Sequence, residues 1–160
     1  MFRRLVQTET DYIVTLARVI LGVVFFPHGA QKMLGWFGGY GFDGTMAGFI
    51  HNGIPALFAF LAICAEFLGS LGLIFGFLTR IAAFGIACVM SVAITMHLHN
   101  GLFMNWTGTQ RGEGIEYHLL ALAITVLLMA RGAGALSLDR FLSRESKRRD
   151  VSNRELAFNR

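Results

Sequence analysis

The fold is decided by residues 55–98, which read PALFAFLAICAEFLGSLGLIFGFLTRIAAFGIACVMSVAITMHL. Two long apolar runs fill this stretch, and its only charged residues are Glu66 and Arg80. A helix needs about 20 apolar residues to cross the hydrocarbon core of a bilayer. The stretch therefore predicts two antiparallel membrane-spanning helices, at about 55–78 and 81–98, joined by a tight turn at residues 76–80.

Two further apolar runs flank this hairpin, at about residues 12–28 and 115–130. A helix of a soluble protein would carry a polar face, whereas residues 81–96 offer only the hydroxyls of Ser91 and Thr95. The chain is 54% hydrophobic and 15% charged, against about 25% charged residues in a soluble domain. These features exclude an ordinary soluble enzyme and predict an all-α, integral membrane four-helix bundle.

The placement of positive charge predicts the orientation. Eleven of the 14 Lys and Arg residues lie before the first run, in the 76–80 turn or after the last run. Positive residues concentrate on the cytoplasmic side of membrane proteins, so both termini are predicted to be cytoplasmic. Residues 1–141 then form the transmembrane domain and residues 142–160 a basic cytoplasmic tail. Such a tail suits an anionic lipid surface and not nucleic acid.

The two longer loops, at about 29–54 and 99–114, are predicted to face outward. The first contains GWFGGYGF at residues 35–42, and Trp and Tyr accumulate at membrane–water interfaces. Within this loop, residues 45–50 are predicted to form a short interfacial helix.

Two charged residues fall inside the predicted spans, where charge is costly and usually functional. At a rise of about 1.5 Å per residue, Arg18 lies about 15 Å below the outer end of the first span and Glu66 about 16 Å below that of the second. Similar depth on antiparallel neighbours predicts an Arg18–Glu66 ion pair or shared hydrogen-bond network. The alternative to a functional pair is one that only sets the helix register.

A second polar group gathers at the outer ends of the spans. It comprises His28, His97, His99, Glu116 and His118, and His51 lies in the adjoining loop. Residues two apart on a helix point about 200° apart, so His97 and His99 cannot both face inward if both are helical, and the same holds for Glu116 and His118. Three readings stay open: ligands for a transition metal or haem, proton transfer beside a quinone head group, or a solvated interfacial cluster.

The order of these features resembles a known family. These features are, in chain order, Arg18, the motif PHGxxK at residues 27–32, GIP at 53–55, Glu66, GFLTR at 76–80, His97, Glu116 and GAGALSLD at 132–139. This combination resembles the DoxX family of small four-helix bacterial membrane proteins, over about residues 13–141.

The resemblance implies a multi-pass protein of the bacterial inner membrane, of a family often labelled as oxidoreductases. Relatives are associated with thiosulfate:quinone oxidoreductase, oxidative stress and thiol-handling complexes. The resemblance points to Arg18, Glu66, His28, His97 and Glu116 as catalytic residues. Lys32, His99 and His118 are the expected cofactor-binding residues, with quinone favoured over a metal or haem as the cofactor.

Three functions follow as hypotheses. The first is a quinone-linked oxidoreductase subunit or accessory, which needs a redox partner protein or bound cofactor to carry electrons. The second is a non-catalytic membrane scaffold or assembly subunit. The third is a small-solute or proton pathway, which would require a homo-oligomer because four helices are few for a transporter.

Overall fold

The structure, a computed structural model, describes residues 5–144. Over this range the chain is helical and contains no strand. Its main helices are α1 (Tyr12–Leu34), α2 (Gly41–His51), α3 (Ala56–Phe75), α4 (Thr79–His97) and α5 (Glu116–Arg131). Two 3-10 segments, Trp36–Gly38 and Leu98–Asn100, follow α1 and α4. The predicted basic tail lies outside the described residues from position 145 onward.

Three segments are long and apolar enough to cross a membrane: Tyr12–Leu34, Ala56–Phe75 and Thr79–Asn100. The fourth predicted span, α5, has 16 residues, fewer than the roughly 20 that a full crossing requires. Three spans are therefore supported by length and composition. A full crossing by α5 and the cytoplasmic placement of the termini stay predictions.

The helices pack in the order α1, α3, α4, α5, and α1 and α5 share the least extensive contact of the neighbouring pairs in this order. We call the end that holds Leu34, His97 and Glu116 the loop end, and the end that holds Phe75 and Thr79 the turn end. The sequence predicts that the loop end faces outward.

Helix α1 is longer than predicted, since it continues past Pro27 to Leu34. Its start is set by the Asp11 carboxylate, which accepts hydrogen bonds from the backbone N–H groups of Ile13 and Val14. Its end is set by Gly35, which adopts a left-handed conformation with φ 73°. The predicted end at His28 is wrong because proline is tolerated inside membrane helices, where neighbouring groups satisfy the freed backbone.

Two glycines allow α1 to approach α3 closely. A Cβ atom at Gly22 would lie 2.9 Å from the backbone nitrogen of Ile74, and one at Gly29 would lie 2.6 Å from the Cα of Phe67. The two glycines are seven residues apart and therefore share one face of α1. Small residues at such positions let membrane helices gain van der Waals contact.

We expect Gly29→Ala to destabilise the bundle by about 1–3 kcal/mol, the usual cost of forcing an extra methyl group into a packed interface. Thermal unfolding in detergent would measure the loss. Gly48→Ala on α2 is the matched control, because a Cβ there meets nothing within 4 Å and alanine is the better helix former. Equal melting temperatures for Gly29→Ala and wild type would contradict the close approach.

The helix predicted in the first outer loop is present as α2, and it spans 11 residues where six were predicted. None of its residues is buried. Phe42 contacts Phe60 of α3 edge-to-face, with ring centroids 6.2 Å apart. Its placement at the membrane interface stays a prediction.

Candidate functional site

Arg18 lies near the turn end and is almost fully buried. Its guanidinium donates hydrogen bonds to four backbone carbonyls. The acceptors are Ala133 (2.9 Å from Nε), Ile74 (2.9 Å from Nη1), Leu136 (2.6 Å from Nη2) and Leu73. Glu66 is not among them, so the predicted Arg18–Glu66 ion pair is wrong.

The error has a geometric cause. Because α1 ends at Leu34, Arg18 lies 16 residues from its loop end, or about 24 Å. Glu66 lies ten residues from the loop end of α3, or about 15 Å. The six extra residues of α1 therefore carry Arg18 well past the depth of Glu66.

The segment after α5 completes this turn-end cluster. The buried Asp139 carboxylate accepts hydrogen bonds from the backbone N–H groups of Leu78 (2.7 Å) and Thr79 (2.9 Å), and so caps the start of α4. The Asp139 N–H in turn donates to the Gly76 carbonyl at 2.9 Å. Together with Arg18, these bonds tie residues 132–139 to the α3–α4 turn.

Glu66 pairs instead with Lys32 of α1. Lys32 Nζ lies 2.5 Å from Glu66 Oε2, and the two side chains are 25% and 6% exposed. A buried ion pair is costly to desolvate and is weak support for stability. Within a membrane protein such a pair marks a candidate functional site. The structure thus joins one predicted catalytic residue to one predicted cofactor-binding residue.

The histidines at the loop end do not form a single group. His97 and His118 stack with ring centroids 5.2 Å apart and planes at 27°. His97 Nδ1 lies 2.8 Å from the Ala93 carbonyl, whereas the buried His118 Nδ1 has no hydrogen-bond partner among residues 5–144. The backbone of Gly114 lies near the His118 ring. His99 is exposed and lines an open cleft of about 630 Å³ within the loop at residues 99–114.

His28 and Glu116 lie apart from the stacked pair. The exposed His28 contacts the edge of the Phe25 ring at 6.5 Å. Glu116 Oε1 accepts hydrogen bonds from Met104 N (2.9 Å) and Trp106 Nε1 (3.2 Å), and so holds the loop at residues 99–114. Among residues 5–144, no three His, Cys, Asp or Glu side chains converge as metal ligands.

Sequence reasoning missed Tyr117. Its ring stacks on Phe25, with centroids 6.0 Å apart and planes at 25°, and meets the His118 ring edge-on at 5.7 Å. The Glu66 carboxylate lies within electrostatic range of Tyr117, and the buried Tyr117 hydroxyl has no hydrogen-bond partner in the part of the chain that the structure describes. A signal was present, because Tyr117 continues the inward stripe of α5 at helical spacing. That stripe contains Ala121, Thr125 and Leu128.

The sequence model of the DoxX family matches residues 13–99, more than half of the chain. The chain belongs to the DoxX family. Lys32 and Glu66 lie inside the matched DoxX range, whereas Tyr117 and His118 lie beyond it.

Two curated relatives align with this DoxX protein over most of its length. One is "Putative oxidoreductase CatD" of Bacillus subtilis (strain 168), 30% identical over 137 residues, which cover 86% of this chain and 92% of the relative. Another is "Inner membrane protein YqjF" of Escherichia coli (strain K12), 31% identical over 136 residues, covering 84% and 95%. No solved structure shows significant similarity. Together with the apolar helices, these relatives indicate a bacterial membrane protein.

Proposed function

We propose that the protein is a redox-associated component of the bacterial inner membrane, acting as a subunit or accessory of a quinone-linked oxidoreductase. The observation that carries the proposal is the Lys32–Glu66 pair, buried between α1 and α3 within apolar helices. An intramembrane ion pair is expensive and is commonly retained for a substrate or proton pathway. The Bacillus subtilis relative, which carries oxidoreductase in its name, supports the same class.

The chemistry of the site suits a quinone head group. Its carbonyl oxygens need hydrogen-bond donors, and its reduction needs protons. Lys32 supplies an ammonium group, and the stacked His97 and His118 supply imidazole nitrogens that can donate or accept a hydrogen bond. A redox partner protein or bound cofactor would supply the electrons. Arg18 and Glu116, expected from the resemblance to be catalytic, serve in this proposal to position the backbone.

The test starts from protein purified with native lipids. We expect extracted lipids to contain quinone in proportion to protein, and Glu66→Gln to lower quinone turnover by at least about tenfold, because one lost charged hydrogen bond is worth about that factor. Absorbance spectra of the same sample would reveal a bound cofactor. Glu9→Gln is the matched control, since Glu9 pairs with Arg131 on the exposed surface, where ion pairs contribute little.

A non-catalytic scaffold is the competing function, favoured by the exposed aromatic side chains of the outer loops. Trp36, Tyr40 and Trp106 are 53%, 88% and 83% exposed. For a scaffold, Glu66→Gln would reduce the recovery of a partner complex while leaving bound quinone unchanged. Absence of quinone, of cofactor and of any effect at Glu66 or His28 would defeat the redox proposal.

A further inference from the structure

Four buried polar side-chain atoms in residues 5–144 lack a hydrogen-bond partner. Two of them, in Thr79 and Arg80, lie at the turn end. The other two are the hydroxyl of Tyr117 and Nδ1 of His118, on consecutive residues of α5. A buried polar group without a partner costs free energy and is rare in native structures, so each one calls for an explanation. The Tyr117 and His118 atoms lie at the loop end, where the candidate site is found.

The residues around Tyr117 indicate the kind of ligand that would bind there. One face of its ring lies against Phe25, and an edge contact joins it to His118, which is itself 92% buried. Glu66, already paired with Lys32, lies within electrostatic range. A flat ring ligand would pack against such aromatic groups. An oxygen on that ligand would accept the hydrogen bond that the Tyr117 hydroxyl can donate.

A row of aromatic contacts runs from Tyr117 to an exposed residue of α1. His28 is exposed on α1, its ring meets the edge of Phe25, and Phe25 stacks on Tyr117. These residues lie along the α1–α5 contact, which is less extensive than the α1–α3, α3–α4 and α4–α5 contacts. A lipid-soluble ligand that reaches Tyr117 would displace the least packing by entering between α1 and α5.

We propose that Tyr117 is a ligand-binding residue, whose hydroxyl donates a hydrogen bond to a ring oxygen of a quinone-type ligand that enters between α1 and α5. The inference rests on the proposed function and narrows it to a ligand that carries an acceptor oxygen on a flat ring. In this proposal the ligand contacts Tyr117 of α5 in addition to the Lys32–Glu66 pair of α1 and α3.

The test compares wild type with Tyr117→Phe in lipid nanodiscs, with decylubiquinone as the probe. Titration calorimetry, corrected with empty nanodiscs, gives the Kd, and thermal unfolding gives the Tm. We expect Tyr117→Phe to weaken binding by about tenfold, the effect of one lost hydrogen bond. Without ligand, its Tm should equal or exceed that of wild type, because the variant removes a hydroxyl that has no partner. Tyr40→Phe, at an 88% exposed position, should change neither quantity.

The outcomes separate the two proposals. If Tyr117→Phe binds the probe as wild type does, the inference fails and the proposed function stands. A lowered Tm with unchanged Kd would show that Tyr117 holds an internal water only, and would also overturn the inference. If wild type does not bind the probe, both proposals fail. Tyr117→Leu, which removes the ring as well, should weaken binding further than Tyr117→Phe.

Discussion

Arg18→Leu is expected to destabilise the protein by roughly 3–5 kcal/mol, since it leaves several buried carbonyls without a donor at about 1–3 kcal/mol each. Two of those carbonyls, of Leu73 and Ile74, belong to the last turn of α3. The last carbonyls of a helix lack partners within the helix, and they favour a positive charge nearby. Arg18 thus caps α3 from α1 while it also binds the segment after α5.

Denaturant or thermal unfolding in detergent would measure this loss, with folded yield as a second readout. Against a total stability of about 5–15 kcal/mol, the loss should be visible in both. Arg18→Lys should fall between wild type and Arg18→Leu, because an ammonium cannot reach all four carbonyls at once. Arg131→Leu, which removes an exposed cation, is the control and should change stability little.

A different result would change the role that we assign to Arg18. If Arg18→Leu unfolds as wild type does but loses quinone turnover, Arg18 acts in the chemistry and not in capping. The resemblance-based expectation of a catalytic Arg18 would then hold.

The second large effect on stability is expected when one partner of the Lys32–Glu66 pair is replaced. Lys32→Met leaves the Glu66 carboxylate buried at 6% exposure with no other hydrogen-bond partner among the described residues. Removing one partner of a buried pair costs about 3–5 kcal/mol. Glu66→Gln should cost less, because Lys32 is 25% exposed and its long side chain can turn toward water.

The double variant Lys32→Met with Glu66→Gln should recover most of the lost stability, because neither buried charge remains unpaired. It should nevertheless fail to support quinone turnover, since the charged groups are gone. Unfolding of wild type, both single variants and the double variant gives the coupling free energy, expected at about 2 kcal/mol or more. The same double-mutant cycle on the exposed Glu9–Arg131 pair should give a coupling free energy close to zero.

Additive losses in the Lys32 and Glu66 variants would contradict a direct pair. Full turnover by the double variant would contradict a functional role for the pair while leaving its structural role intact. Stability and turnover are therefore measured on the same four proteins.

Several features of the fold were predictable from residues close together in the chain. The apolar runs predicted the helices because the free energy of entering a bilayer sums over consecutive residues. The turn at 76–80 was predicted from its glycine and from the apolar residues on both sides. His97 and His99 do lie apart, but the α-helical repeat does not explain it, because α4 ends at His97 and His99 lies in the 3-10 segment that follows.

The candidate site was predicted less well, because it depends on where helices end. The predicted end of the first helix at about residue 28 placed Arg18 at the depth of Glu66 and left Lys32 in a loop. In the structure, α1 continues through Lys32 and brings its ammonium to Glu66. An error of six residues moves a side chain by about 9 Å along the axis, which is enough to exchange one partner for another.

The sequence determined the membrane class, the principal apolar helices and the set of costly polar residues inside them, since each depends on residue type and local spacing. Tertiary structure decided which of those polar residues interact with one another. Arg18 and Asp139 hold the turn end together, Lys32 pairs with Glu66 between α1 and α3, and the Tyr117 hydroxyl has no hydrogen-bond partner among residues 5–144. Hydrogen bonds act over about 3 Å, so partner choice depends on helix ends and rotations that only packing establishes.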